Sequence, residues 1–252
     1  ATPDLLIPGG QSPHGSSMRP SERRALAHAD LLVWIGPDFE ISLARAVSQQ
    51  EQTRLLGLFE QPALELLEVR RSGIWEADAE DGHEHAHDVH AEMDPHIWLN
   101  PRLVKQLAFS IKSAFVGIDP NNKEYYQLNY QRFIDDLDNL DQAIRREVNL
   151  VGNRQFMVFH PSWGYFADEY GLQQIPIELE GKRPGAKSLT GLIEFAQRKQ
   201  VKVIFVQRQF SDSDAKTIAR HIGAKVVYVD PLAENYLENL YRTTRQFVEA
   251  LK

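Results

Sequence analysis

The 252-residue chain contains no cysteine. Disulfides, thiolate zinc sites and thiol catalysis are excluded, so any metal must be held by nitrogen and oxygen. The absence leaves the compartment open, because a chain without thiols is equally safe in oxidising and reducing surroundings. An excess of positive charge is missing too. The net charge of −7 denies non-specific nucleic-acid binding its basic footprint and mildly favours cations nearby. No apolar run reaches the roughly 18 residues of a membrane span. The start, Ala1-Thr2-Pro3-Asp4, carries no signal-peptide pattern, so the expectation is that a leader either never existed or has been removed. What remains is ordinary for a globular protein: 42% apolar and 25% charged residues, enough for one large core or two modest ones.

Short apolar runs alternate with helical stretches. Leu5-Leu6-Ile7 before Pro8-Gly9-Gly10 reads as a short strand, and Pro20 starts a helix with Arg19 or Ser21 near its cap. Leu31-Leu32-Val33-Trp34-Ile35-Gly36 has the continuous apolar character of a strand buried on both faces, and Phe39 to Gln50 looks helical. Asn100-Pro101 caps and starts a helix to about Phe115. Residues 121–150 hold neither Pro nor Gly. Tyr126, Tyr130, Phe133, Leu137, Leu140, Ile144 and Val148 recur there at spacings of three and four, which predicts one helix about 40 Å long. A second block follows, with strands expected at 155–159, 201–206 and 225–229 and helices at 162–170, 188–199, 211–222 and 237–251. This alternation predicts an α/β fold with parallel sheets. The expected domains are an N-terminal α/β lobe over 1–118, a long connecting helix over 119–150, and a C-terminal α/β lobe over 151–252. No internal sequence repeat is evident.

The chain has nine histidines, and His83, His85, His87, His90 and His96 crowd into one stretch. Imidazole is a versatile ligand for zinc and related metals, so this density points to a metal. The first four sit among Glu84, Asp88 and Glu92 in a polar loop of about 76–94. His96 instead lies in the apolar, proline-bounded run Asp94-Pro95-His96-Ile97-Trp98-Leu99-Asn100-Pro101. Ligands of open parallel sheets bind outside the carboxyl ends of strands. His14, His96, His160 and Asp230 occupy strand-end or neighbouring loop positions. Taken singly, each has a plainer role: His14 as an exposed loop residue, His96 as a satisfied core histidine, His160 as a helix cap, Asp230 as a turn residue.

Four motifs together resemble the zinc and manganese solute-binding proteins of ABC transporters. They are Gly10-Gln11-Ser12-Pro13-His14 with Met18-Arg19-Pro20-Ser21 and Ala29–Gly36, then Asp94–Pro101, then Phe159-His160-Pro161-Ser162-Trp163-Gly164-Tyr165-Phe166, and finally Val229-Asp230-Pro231-Leu232. The resemblance spans essentially the whole chain. It implies two Rossmann-like lobes joined by one long rigid helix, with a metal held between them by His14, His96, His160 and Asp230. It also implies a periplasmic protein serving a membrane permease, expected here as a monomer with no nucleic-acid partner. Two departures stand out. The strand and helix that the family places ahead of Leu5 are missing, and Gln207 stands where many members carry an acidic residue.

Three imidazoles and one carboxylate suit tetrahedral Zn²⁺, whereas Mn²⁺ prefers more oxygen. His83, His85, His87 and His90 are expected to capture zinc weakly and exchangeably, and Trp98 and Trp163 to pack around the site. The alternatives are a manganese-binding homologue and a zinc hydrolase with an open coordination position. The sequence has no His-Glu-x-x-His pair, and four protein ligands would close the metal off, so a carrier rather than an enzyme is expected.

Overall fold

A computed structural model describes residues 3–7, 10, 12–14, 17–49, 53–62, 64–69, 93–178 and 183–252. His83, His85, His87 and His90 lie outside the described residues. The chain groups into two compact units, one formed by 1–65 with 100–141 and the other by 66–99 with 142–252. The boundaries expected at 118 and 150 follow chain order, but this grouping does not: the stretch containing His96 goes with the second unit.

In the first unit, α1 (Pro20–Ala27) begins with proline, whose fixed φ suits a first helical position. Its cap is Arg19, whose amide donates to the Glu22 carboxylate at 2.6 Å. Strand β1 (Leu31–Trp34), helix α2 (Ile41–Val47) and strand β2 (Arg54–Gly57) follow, and the two strands pair in parallel with Leu31 opposite Arg54. Strand β1 stops two residues before the expected Gly36. The amides of Ile35 and Gly36 go instead to the buried carboxylate of Glu40, at 3.2 and 3.0 Å. Leu26, Leu32, Leu43, Ala46 and Val47 form the core here. Leu6 packs against that core, but no strand forms at Leu5-Leu6-Ile7, contrary to the expectation, because a bend precedes Pro8.

Helix α3 (Pro101–Ile118) is capped by the Asn100 side chain, which accepts the amides of Arg102 and Leu103 at 2.8 and 3.4 Å. A single 3₁₀ turn at Pro120–Asn122 leads into α4 (Lys123–Val148), an unbroken helix of 26 residues. Its apolar stripe is the one read from the sequence, with Leu137, Leu140, Ile144 and Val148 buried.

In the second unit, β3 (Gln155–Val158), α5 (Gly164–Glu169), β4 (Gln173–Pro176), α6 (Ala186–Arg198), β5 (Val203–Gln207), α7 (Ser213–Ile222), β6 (Lys225–Val229) and α8 (Tyr236–Leu251) build a four-stranded parallel sheet in the order β4-β3-β5-β6. Alternate residues serve opposite faces. Met157, Ile175, Ile204 and Val206 pack with Leu192, Phe195 and Ile218, while Phe156 and Phe205 meet Phe247 of α8 at ring separations of 4.6 and 4.5 Å. Burial on both faces explains the apolar runs of β3 and β5. Strand β4 escaped the sequence reading because Gln173-Gln174-Ile175-Pro176 lacks such a run. It lies at the sheet edge, where proline is tolerated.

The stretch ahead of α3 is stitched to this unit by the buried Tyr165 hydroxyl and the half-buried Trp98 indole. The Tyr165 hydroxyl donates to the Asp94 carbonyl at 2.7 Å and accepts the Leu67 amide at 3.0 Å. The Trp98 indole donates to the Pro231 carbonyl at 2.8 Å.

Candidate metal centre

Strand β3 delivers His160 just past its carboxyl end, and the turn after Asp94-Pro95 delivers His96. Both imidazoles are buried, with residue exposures of 9% and 6%. Their Nε2 atoms face each other across 3.3 Å. Each ring turns its other nitrogen towards a carboxylate. The His96 Nδ1 lies 2.6 Å from Asp94 Oδ1, which also accepts the His96 amide at 3.0 Å, and the His160 Nδ1 lies 3.5 Å from Glu178 Oε1. A carboxylate behind Nδ1 favours the tautomer that carries its proton there, so each Nε2 presents a lone pair.

Two lone pairs at that range repel unless a proton or a cation lies between them. A tetrahedral zinc with Zn–N of 2.0–2.1 Å spaces neighbouring nitrogens about 3.3 Å apart. Burial, chiefly, holds the His160 imidazole below its ordinary pKa, and the neighbouring His96 adds to this, which keeps the ring neutral and able to ligate. Aromatic rings wall the pair. Phe210 stacks on His160 at 4.5 Å, and Trp98 tilts against His96 at 5.3 Å. Trp163 is fully buried further back, among Phe166 and Phe247. The two tryptophans therefore pack as expected from the sequence.

Asp230 sits just past β6, half-buried, and its carboxylate Oδ1 accepts from the Gln209 side chain at 2.7 Å and from the Leu232 amide at 3.0 Å. The Asn239 side chain donates to its carbonyl at 2.7 Å. Among the described residues, Asp230 does not join a group of potential ligand atoms lying within 4.8 Å of one another. The turn-residue role weighed for it is thus visible. His14 belongs to the first unit, where its half-buried ring meets Phe39 edge-on at 4.6 Å.

Two acids behind the imidazoles were not read from the sequence. Asp94 was quoted within its motif without a role, although a carboxylate two residues ahead of a histidine can fold back onto it. Glu178 gave no signal, because it follows the unrecognised strand β4.

Comparison with known proteins agrees with these motifs. The family model for the zinc-uptake complex component A, periplasmic (ZnuA), matches residues 1–250. The high-affinity zinc uptake system protein ZnuA of Bacillus subtilis is 33% identical over 236 residues, covering 91% of this chain and 71% of that protein. A crystal structure of ZnuA is 33% identical and superposes with a TM-score of 0.87 over 99% of this chain and 90% of the other. A ZnuA deletion mutant with zinc bound, also 33% identical, gives 0.84 over 98% and 88%. Sequence motifs, parallel α/β architecture and matched length agree: the chain belongs to the family of periplasmic zinc-uptake components.

Proposed function

We propose that this protein binds Zn²⁺ outside the cytoplasm and passes it to the membrane permease of an ABC transporter. The observation that carries the reading is the pair of buried Nε2 atoms 3.3 Å apart, each imidazole backed by an acid. That spacing is the bite of a tetrahedral zinc, and nitrogen donors favour zinc over manganese. His14 and Asp230 complete the set in this proposal, Asp230 by exchanging its bond to Gln209 for the metal. His83, His85, His87 and His90 serve as a weaker, exchangeable capture site.

Four protein ligands leave no coordination position for a hydrolytic water, so the protein carries zinc without catalysis. Among the described residues no helix is long and apolar enough to cross a membrane. The net negative charge suits a cation carrier that acts as a monomer without nucleic acid.

Metal analysis of protein purified without added metal, joined to zinc titration of the parent, His96→Ala and His160→Ala, tests this. Zinc is expected to copurify at one equivalent in the tight site, and each alanine variant to lose that site. Retention of tight binding by either variant refutes the assignment.

A further inference from the structure

The loop that carries His160 is held by two buried side-chain amides, one from each strand flanking β3. The last ladder bond on the β5 side runs from the Phe159 amide to the Phe205 carbonyl at 2.8 Å. Beyond it Gln207, at the end of β5 and 0% exposed, takes over. Its Oε1 accepts the His160 amide at 3.1 Å, and its Nε2 donates to the His160 carbonyl at 2.5 Å and to the Ser162 hydroxyl oxygen at 2.9 Å. On the other side, the buried Gln174 of β4 accepts the Trp163 amide at 3.0 Å and donates to the Pro161 carbonyl at 3.2 Å. The backbone partners fix which amide atom is oxygen and which is nitrogen, since an N–H can only donate and a carbonyl can only accept.

We propose that Gln207 and Gln174 are positioning residues that set the His160 imidazole for zinc before the metal arrives. The proposal rests on His160 being a ligand. A primary amide meets the donor and acceptor needs at both places in this chain. A carboxylate could accept the two backbone amides but could not donate to the two carbonyls, and an apolar side chain would take a partner from each of these buried groups, leaving the His160 carbonyl with the Ser162 amide at 2.8 Å alone. An amide also stays neutral beneath the site. With the loop already ordered, little conformational freedom is lost when zinc binds, and the ring is presented to the metal at a fixed height above the sheet.

Gln207→Met and Gln174→Met keep side-chain length and remove the amide. Full-length variants are compared with the parent for melting temperature without metal, zinc affinity by chelator competition, and the visible absorption of bound Co²⁺, which reports ligand geometry. Zinc affinity of Gln207→Met is expected to fall about tenfold or more, the range seen when groups supporting metal ligands are lost, with an altered cobalt spectrum. Gln174→Met, which does not touch His160 itself, is expected to fall less. A purely structural role would lower only the melting temperature. Parent-like zinc affinity and an unchanged cobalt spectrum in a folded Gln207→Met therefore overturn the proposal. If Gln207→Met does not fold, Gln174→Met is judged by the same two readings. His160→Ala separates the causes. If it keeps tight zinc, the site assignment fails and the cradle with it; if it loses tight zinc while both methionine variants match the parent, the cradle alone fails.

Discussion

At the scale of single residues, the proposed site draws on groups set behind its two imidazoles. Asp94 shows this most clearly, since one carboxylate oxygen serves both the ring and the amide of His96. Asp94→Ala removes the partner that orients the imidazole and fixes its tautomer. Zinc affinity measured by chelator competition is expected to drop about 10- to 100-fold with the fold retained; a change of less than twofold would remove Asp94 from the site. Gly164 protects the same carboxylate. A Cβ at that position would lie 2.7 Å from Asp94 Oδ2, closer than real contacts allow. Gly164→Ala is thus expected to push Asp94 aside, lowering both zinc affinity and the melting temperature of the metal-free protein. If crystals of the variant show Asp94 still 2.6 Å from His96 and zinc affinity is unchanged, the contact is not limiting.

At the scale of elements, legibility followed burial. The stripe of α4 from Tyr126 to Val148 was plain because one face of a long helix repeats its signal many times. Ile144, fully buried on that stripe, is expected to lose about 2–5 kcal/mol of unfolding free energy on substitution by alanine. Urea titration of the metal-free protein reads this directly, and a loss below about 1 kcal/mol would mean that the packing relaxes around the gap. Strands β3 and β5 were read because a sheet covered on both faces calls for unbroken apolar runs, and the edge strand β6, with Lys225 and Tyr228 exposed, because of its β-branched valines. Strands β2 and β4 were not. Each is four residues long, and β4 spends two positions on glutamine, one of which turns out to hold the loop that carries His160. The strand expected at Leu5-Leu6-Ile7 fails for a related reason: an apolar triplet suffices to pack Leu6, but it finds no ladder partner.

At the scale of the whole molecule, the proposed function divides the histidines into two populations. Deleting residues 83–90 is expected to leave one tight zinc site intact and to abolish only weaker binding in a calorimetric titration. Loss of the tight site would show that the crowded histidines, and not His96, hold the metal. Linkage gives a companion reading, because a ligand at 100 times its Kd stabilises the folded state by about 2.7 kcal/mol. Zinc should therefore raise the melting temperature of the parent and of the deletion equally.

The motifs around His14, His96, His160 and Asp230 were legible because each compresses chemistry and turn geometry into a few adjacent residues. The alternation of strands and helices likewise determined the α/β class, since hydrophobic periodicity is local. Tertiary structure decided the rest. It brought His96 and His160, 64 positions apart in the chain, to 3.3 Å, and set Asp94, Glu178, Gln174 and Gln207 behind them. Those partners left little trace in the chain, because a carboxylate or amide becomes a support only when parallel strands distant in sequence place it beside its imidazole. Periodicity reports which face a residue occupies; only packing reports what it meets there.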